Sequence, residues 1–419
     1  MSLDGPKTTW SRLHPWARLA LAVWVAMTVA VCARSAVQPR RQSVFPVWKL
    51  AGHDWLSGRD LYEDGPEADL VRFGYRYSPL VAATFTVCDL APERAGNVLW
   101  RLANAAAFLA AAGWWLRRGL PEPLTPGQQG MVFLLLALPA LGSLNNGQVN
   151  LLLAALLLAC LTAVALERWN LAAGCGGLAV MLKVYPLALC LLVALLYPRR
   201  FLPRFLMALA LLAALPFLMQ HPDYVLRQYG LWWERLSHND VYRRFWPVAE
   251  SYRDVWQLVR VWKLPVSLGQ YTALQLAGGA GCALLTALAG WRLGRGKGTL
   301  MAVLALATSW MVLLGPAPES CTYVLVAPAM AWWLVRTNPR EHGLAHYLPA
   351  QGYGLWLWCV LTGSSSLGIQ LYHVPGLQPL AVLLFTAAYV GSLAAWLWRG
   401  QAGPAAPAEP EHPAARAAA

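Results

Sequence analysis

Long apolar runs, separated by shorter polar segments, make up most of this chain. The first extends from Trp16 to Ala36, after a charged flank, and is too long for the core of a signal peptide. Further runs follow at 95–116, 130–144, 149–166, 171–197, 204–220, 271–291, 299–314, 322–335, 352–372 and 376–398. About 20 apolar residues can cross a bilayer as a helix, and shorter helices are tolerated where they line a water-filled cavity. The pattern therefore predicts an all-α, polytopic transmembrane helical bundle of about 12 spans.

Arginine and lysine in the short loops predict the orientation, because these residues accumulate in cytoplasmic loops. The residues concerned are Arg117, Arg118, Arg168, Arg199, Arg200, Arg204, Arg292, Arg295, Lys297, Arg336, Arg340 and Arg399. All of these residues can lie on the cytoplasmic side, with both termini inside, if 171–197 is a hairpin of two short helices. The hairpin then turns on the outer side of the membrane at Lys183–Pro186. The stretch Pro79–Leu90 must then enter the membrane without crossing it. The alternative is that it crosses and one arginine pair breaks the rule.

Two long polar segments fall on the predicted outer side, and long loops commonly carry function. In the first, Val37–Ser78, an apolar stripe over Val44–Leu56 predicts a juxtamembrane helix that lies along the membrane surface. The second, from His221 to about residue 270, is rich in aromatic and arginine residues, which suit a sugar ring and an anionic headgroup. The Ala/Pro-rich residues 401–419 are predicted to be a disordered cytoplasmic tail behind a membrane domain at 1–400.

Composition excludes several classes of protein. The chain is 58% hydrophobic and 13% charged, against about 25% charged in soluble domains, so a soluble fold is excluded. The net charge of +13 is spread over short segments next to the apolar runs, which argues against nucleic-acid binding. The 8 cysteines show no CxxC spacing, so we expect neither a metal site nor a disulfide framework, and we expect no cofactor.

The most polar interruption between two apolar runs is the turn Asn145–Asn150, which contains Asn145, Asn146, Gln148 and Asn150. Amide groups at this depth need hydrogen-bond partners, because an unpaired one costs a few kcal/mol in hydrocarbon. One interpretation is that Asn145 and Asn146 only cap the next helix. The other is that the amides bind sugar hydroxyls or phosphate oxygens.

Lys183 lies inside an apolar run, just before Tyr185 and Pro186, which must break the helix. A lysine at membrane depth is a candidate functional residue, and phosphate is its natural partner; snorkelling to the interface is the alternative. We expect Lys183 and the Asn145–Asn150 turn to approach one another at the mouth of one cavity.

Two further segments supply candidate substrate-binding residues. In Tyr75–Pro79, Arg76 lies between two tyrosines and could clamp a phosphate, with Tyr77 beside it; an aromatic anchor with a snorkelling arginine is the alternative. In the outer turn that begins at Gly315, Glu319 could contact substrate or serve only to cap the turn.

Four motifs together carry a resemblance to a known family. The segments NNGQVNLLLAALLLACL and GGLAVMLKVYPLALCLLVALLYPRR, preceded by GRDLYE and YRYSPL, make residues 44–335 similar to glycosyltransferase family 87. That family comprises multi-spanning GT-C enzymes, including mannosyltransferases that use polyprenyl-phosphate mannose. The resemblance implies a lipid-phosphate-linked sugar donor used on the outer membrane face, and an aspartate in the first outer loop that activates the acceptor hydroxyl.

This sequence departs from the family pattern at that aspartate. Counting back from GRDLYE, its position falls at Ser43 or Val44, and neither residue can act as a base. We therefore expect another carboxylate to serve, with Asp54 as the first candidate and Asp60 as the second, although Asp60 also suits the turn at Gly58. The same loop also contains Glu63, Asp64 and Asp69.

The sequence leaves three functions open. The first is inverting transfer of a hexose, with mannose as one candidate, from a polyprenyl-phosphate donor to a lipid or glycan acceptor in a bacterial cytoplasmic membrane. The absence of a DxD motif in a soluble domain fits such a lipid-linked donor. The second is transport of a lipid-linked or small polar substrate, since broken helices with a buried lysine also mark transporter sites. The third is a catalytically inactive relative that binds glycan lipid.

Overall fold

The computed structural model describes residues 13–62, 75–243, 246–248, 250–363 and 365–399. The α-helices are α1 Pro15–Val37, α2 Phe45–Leu56, α3 Pro79–Asp89, α4 Glu93–Arg118, α5 Pro126–Asn146, α6 Asn150–Ala165, α7 Trp169–Leu182, α8 Leu187–Leu196, α9 Leu202–Ala214, α10 Pro222–Arg243, α11 Val255–Val261, α12 Leu268–Arg292, α13 Lys297–Leu313, α14 Ala327–Arg336, α15 Pro339–His342, α16 Leu344–Thr362, α17 Ser366–Gly368 and α18 Leu377–Arg399. Two 3₁₀ segments and a π-helical turn lie at Leu215–Leu218, Ser320–Leu325 and Ile369–His373. The described residues form no strand, which confirms the all-α prediction for them. The predicted tail at 401–419 lies outside them.

Four of the described helices, α1, α5, α12 and α18, are long and apolar enough to cross a membrane. Several others are equally apolar but shorter, namely α3, α6, α7, α8, α13 and the stretch Leu202–Leu218. The protein is thus a multi-pass integral membrane protein. The count of about 12 spans stays a prediction, because the shorter helices do not reach the roughly 20 residues of a full crossing.

Helix α2 is the helix that the apolar stripe at Val44–Leu56 predicts, so that prediction is confirmed. It packs on α3 at close range, because a Cβ at Gly52 would lie 2.6 Å from the Phe85 carbonyl oxygen. Lys49 ties the pair together by donating to the Asp89 carbonyl at 3.3 Å. With 11 residues, α3 is about 16 Å long, too short to cross a bilayer. That α2 lies on the membrane surface and that α3 is re-entrant stay predictions.

A break between α7 and α8 interrupts the apolar run 171–197. Lys183 has extended backbone, with φ −151° and ψ 142°, and Pro186 cannot donate a helical hydrogen bond. A Cβ on Gly176 would lie 2.9 Å from Cys190 Sγ, whereas one continuous helix would hold these positions about 21 Å apart. The chain therefore folds back at this point, which confirms the predicted hairpin, while its location on the outer side of the membrane stays a prediction.

The polar turn between α5 and α6 is formed by the carboxamide-rich segment. Helix α5 ends at Gly147, whose φ of 64° is a left-handed conformation that glycine adopts without strain, and α6 begins at Asn150. Helix α6 packs between α4 and α7, while α1 packs on α4 and α5. This packing brings the α5–α6 turn next to the α7–α8 break and positions the site.

Candidate functional site

A cavity of about 930 Å³ is enclosed by segments that lie far apart in the sequence. Its wall comes from the α1–α2 connection, the entry to α3, the α5–α6 turn, the α7–α8 break, α10 and the loop that precedes Ser320. The cationic residues of the lining are Arg34, Arg40, Arg76, Lys183 and Arg253. Among the described lining residues, Glu319 is the only carboxylate. The cavity is therefore suited to an anionic ligand beside a single acid–base group.

Lys183 contacts the carboxamide turn directly. Its Nζ donates to Asn150 Oδ1 at 3.0 Å, and Tyr185 Oη donates to the same oxygen at 3.2 Å. Asn150 is fully buried at the start of α6, behind the cavity wall. Its side-chain oxygen therefore holds the Lys183 and Tyr185 side chains of the α7–α8 break in place. The predicted approach of Lys183 to the Asn145–Asn150 turn is confirmed.

Gln148 joins two of the predicted binding residues. Tyr77 Oη donates to Gln148 Oε1 at 3.2 Å, and Gln148 Nε2 donates to Glu319 Oε2 at 3.2 Å. Burial, and then the Glu319 carboxylate, raise the pKa of Tyr77, so its phenol stays a protonated donor at neutral pH. The Glu319 side chain also accepts a hydrogen bond from the Thr322 backbone N–H, which orients the carboxylate towards the cavity wall.

A hydrogen bond joins the Tyr75–Pro79 segment to the end of α7. Ser78 Oγ donates to the Met181 carbonyl at 2.6 Å, two residues before Lys183. Arg76 lines the cavity and donates from Nη1 to Tyr252 Oη at 3.1 Å. The hydrogen bond from Ser78 to Met181 brings Arg76 and Lys183, which are more than 100 positions apart in the sequence, to one wall of the cavity.

Asn145 and Asn146 meet the α1–α2 connection at the other end of the turn. Asn145 Oδ1 accepts from Arg34 Nη1 at 2.6 Å, and the Asn145 carbonyl accepts from Arg101 Nη2 at 2.7 Å. The Asn146 carbonyl accepts from the Val44 backbone N–H at 3.0 Å. Asn145 and Asn146 are the last residues of α5, and the N-cap of α6 is Val149, so the interpretation that these two residues cap the next helix is wrong. Every amide residue of the turn instead lines the cavity or contacts a lining residue.

Asp54 and Asp60, the predicted candidates for the base, do not line the cavity. Asp54 Oδ1 lies 3.2 Å from Arg59 Nε, and Asp60 Oδ2 lies 3.1 Å from Arg227 Nη2. Asp60 Oδ1 also accepts from the Tyr62 backbone N–H, as expected for a residue that structures a turn. Glu63, Asp64 and Asp69 lie outside the described residues.

Ser43 and Val44, the positions at which the family resemblance implies an aspartate, do line the cavity. Ser43 Oγ donates to Asn97 Oδ1 at 3.0 Å, so the position is occupied by a hydroxyl and not by a base. Sequence reasoning missed Arg34 and Arg40 as lining residues, and it included Arg253 only in the arginine-rich outer segment that suits an anionic headgroup. Arg34 lies within one helical turn of the outer end of a predicted span, where arginine is uncommon. This position could have marked it as a candidate functional residue.

Within the described part of the chain, no three His, Cys, Asp or Glu residues are grouped so that they could hold a metal ion. No curated protein matches the sequence. Among solved structures, the crystal structure of ArnT from Cupriavidus metallidurans bound to undecaprenyl phosphate is similar at 15% identity. That alignment covers 89% of this chain and 77% of the ArnT chain, with a TM-score of 0.39.

The family comparison covers the segments that build most of the cavity. The sequence model of glycosyltransferase family 87 matches residues 75–316, which include the entry to α3, the carboxamide turn and the α7–α8 break. This match spans more than half of the chain, and the protein therefore belongs to glycosyltransferase family 87.

Proposed function

We propose that this protein is a membrane glycosyltransferase of GT-C type that transfers a hexose from a polyprenyl-phosphate-linked donor to a lipid or glycan acceptor. Family membership supplies the reaction class, and the cavity supplies the observation that carries the proposal: several cationic side chains converge around one carboxylate. The transfer takes place on the outer face of a bacterial cytoplasmic membrane, and residues 1–400 form the enzyme with 401–419 as its tail.

The cations are suited to the departing phosphate. Lys183, Arg76 and Arg253 all line the cavity, and Arg253 is buried, so its charge is poorly screened by water. As the bond between the anomeric carbon and the phosphate oxygen breaks, the electron pair goes to that oxygen and the polyprenyl phosphate gains a negative charge. Fixed cations around the leaving group stabilise this charge in the transition state.

The carboxylate is suited to act as the general base. In the proposed step, the acceptor hydroxyl oxygen attacks the anomeric carbon on the face opposite the phosphate, and Glu319 takes the hydroxyl proton. The configuration at that carbon is therefore inverted. We propose Glu319 for this role in place of Asp54 and Asp60, because both aspartates are engaged with arginines away from the cavity lining. Glu319 is half-buried and held by Gln148, which keeps it aligned.

Amide and phenol groups are suited to hold the sugar. Asn145, Asn146, Gln148 and Tyr77 line the cavity and carry both donors and acceptors, as hydroxyl recognition requires. Asn150 supports the site through Lys183 instead.

A reconstitution assay tests the proposal. Purified full-length protein in nanodiscs receives radiolabelled polyprenyl-phosphate mannose or polyprenyl-phosphate glucose together with extracted membrane lipids. We expect label in a new lipid or glycan product. A parallel reconstitution into sealed vesicles measures flux. Label that crosses the vesicle bilayer without forming product would support transport instead, and contradict the proposal.

An inactive glycan-lipid-binding relative is the second candidate, and Ser43 at the cavity wall favours it. In the same assay this candidate predicts saturable binding of the donor and no product with any acceptor. A product that disappears in the Glu319→Gln variant would exclude it.

A further inference from the structure

A second cavity, of about 550 Å³, lies between the α8–α9 connection and the α12–α13 connection. Its lining residues are Tyr197, Pro198, Arg199, Arg200 and Arg295. The Tyr197 hydroxyl donates to the Arg295 carbonyl and so joins the two connections. Their arginines predict a cytoplasmic position for both connections, and this contact places them at the same end of the bundle.

This second cavity is separate from the cavity that contains Lys183. The two cavities share none of their described lining residues. Helix α8 leads from the α7–α8 break to Tyr197, and its 10 residues extend over about 15 Å. A ligand of the second cavity is therefore independent of the reaction proposed above.

Side chains at the start of α7 hold the α8–α9 connection in place. The Arg200 guanidinium lies 5.6 Å from the Trp169 ring centre, and the same ring packs on Tyr197 with the ring centres 5.1 Å apart. Arg204 donates from Nη1 to the Arg200 carbonyl at 2.6 Å and from Nε to Asn170 Oδ1 at 3.0 Å. Contacts within the protein thus fix the backbone of this connection, which lowers the entropy cost of binding a ligand there.

The lining carries an excess of positive charge. Arg200 pairs with Glu167 at 3.1 Å, and both side chains of this pair are exposed. Among the residues that the structure describes, no carboxylate pairs with Arg199 or with Arg295. Two guanidinium groups, one from each connection, are therefore available to an anion, and each has the planar fork that binds a phosphate through two parallel hydrogen bonds.

Exposed apolar side chains lie on the helices that lead away from the cavity. Leu195 in the last turn of α8 is exposed, as are Leu206 and Leu211 on α9. Helix α12, which ends three residues before Arg295, is a candidate membrane span with little of its surface buried in the protein. Apolar surfaces of this kind suit acyl chains. An anion between the two connections is thus next to lipid, which favours a lipid headgroup over a soluble phosphate.

We propose that this second cavity binds the headgroup of a phospholipid with two phosphates, of the cardiolipin type. Arg199 binds one phosphate from the α8–α9 connection, and Arg295 binds the other from the α12–α13 connection. The acyl chains lie along α9 and α12. Basic pockets between membrane helices on the cytoplasmic side are known to bind such headgroups. Because both connections contact the lipid, its binding stabilises the packing of α8 and α9 beside α12.

Native mass spectrometry of the full-length protein in detergent tests the proposal. The probes are cardiolipin, phosphatidylglycerol and phosphatidylcholine, each added alone. We expect cardiolipin to bind at least about tenfold more tightly than phosphatidylglycerol, because its second phosphate adds a charge-assisted pair that accounts for about this factor. Phosphatidylcholine, which has no net charge, should bind more weakly than either.

Substitutions assign the lipid to the cavity. Arg295→Gln and Arg199→Gln should each weaken cardiolipin binding by about tenfold. Arg117→Gln is the matched control, because Arg117 is exposed, is predicted to be cytoplasmic by the same charge rule and does not line the cavity. Cardiolipin should also raise the Tm of wild type and of Arg117→Gln by more than that of Arg295→Gln.

The control separates a built site from the general attraction between a basic surface and an anionic lipid, which predicts equal losses in all three variants. Equal losses, or unchanged cardiolipin binding in both Arg199→Gln and Arg295→Gln, would overturn the proposal. Equal affinity for cardiolipin and phosphatidylglycerol would do the same, as would displacement of cardiolipin by an equal concentration of soluble pyrophosphate. Each variant is compared at a lipid-free Tm equal to that of wild type, so that lost binding does not reflect lost folding.

Discussion

The Glu319→Gln variant tests the catalytic proposal most directly. Glutamine has the same shape, and its amide oxygen can still accept from the Thr322 N–H and from Gln148 Nε2. The loop should therefore keep its conformation, while the variant loses its negative charge and with it the ability to take a proton. Loss of a general base lowers turnover by about 10² to 10⁴. We expect this fall in kcat, equivalent to about 3 to 5 kcal/mol in the activation barrier.

Asp54→Asn is the matched comparison, since it removes one carboxylate that the sequence alone made the first candidate. In the ion pair between Asp54 and Arg59, the Asp54 side chain is 16% exposed and the Arg59 side chain is 58% exposed. Exposed ion pairs contribute about 0 to 1 kcal/mol to stability, so the variant should fold. Because Asp54 does not line the cavity, we expect kcat to change by less than about fivefold, well below the effect of losing a general base.

The assay measures kcat and KM with radiolabelled polyprenyl-phosphate sugar, on variants purified to equal monodispersity. If Glu319→Gln retains turnover within about threefold of wild type, Glu319 is not the base. If Asp54→Asn falls by about 10² or more while Glu319→Gln does not, the base lies in the first outer loop as the sequence predicted.

Further predictions concern the cations and the supports of the site. Lys183→Met should lower kcat by about 10² to 10³ and Lys183→Arg by less, measured in the same assay, because removing one stabilising donor costs this much. Ser78→Ala should leave the buried Met181 carbonyl without its 2.6 Å bond and lower stability by about 1 to 3 kcal/mol in thermal unfolding; an unchanged Tm would contradict this. Gly147→Ala should lower Tm more than Gly174→Ala, because φ is 64° at Gly147 and a Cβ there would lie 3.0 Å from Arg101 Nη1, whereas Gly174 has open space.

Local patterns in the sequence were sufficient to predict the helices and the broken hairpin. The run 171–197 is too long for one short helix and too interrupted for one long helix, since Pro186 removes a donor and restricts the residue before it. Likewise, the apolar stripe over Val44–Leu56 has a helical period that a loop would not need. Such features depend on neighbours in the sequence, and the structure confirms both.

The base that we propose, Glu319, could not be predicted in the same way. Asp54 and Glu319 differ little as isolated carboxylates, and Asp54 lies in the outer loop in which the family resemblance implies the aspartate. A contact between distant parts of the chain distinguishes them: Gln148, 171 positions away, holds Glu319 at the cavity, whereas Asp54 is engaged by Arg59 of its own segment. No spacing rule within either segment contains this information.

The carboxamide turn explains how so many separate segments form one site. At its start, Asn145 accepts hydrogen bonds from Arg34 and Arg101. In its middle, Gln148 accepts from Tyr77 and donates to Glu319. At its end, Asn150 accepts from Lys183. Amides can donate and accept at once, so one turn can link cations, a phenol and a carboxylate without adding charge of its own. The turn therefore connects cationic lining residues of the cavity, Arg34 and Lys183, to the segment that holds the Glu319 carboxylate.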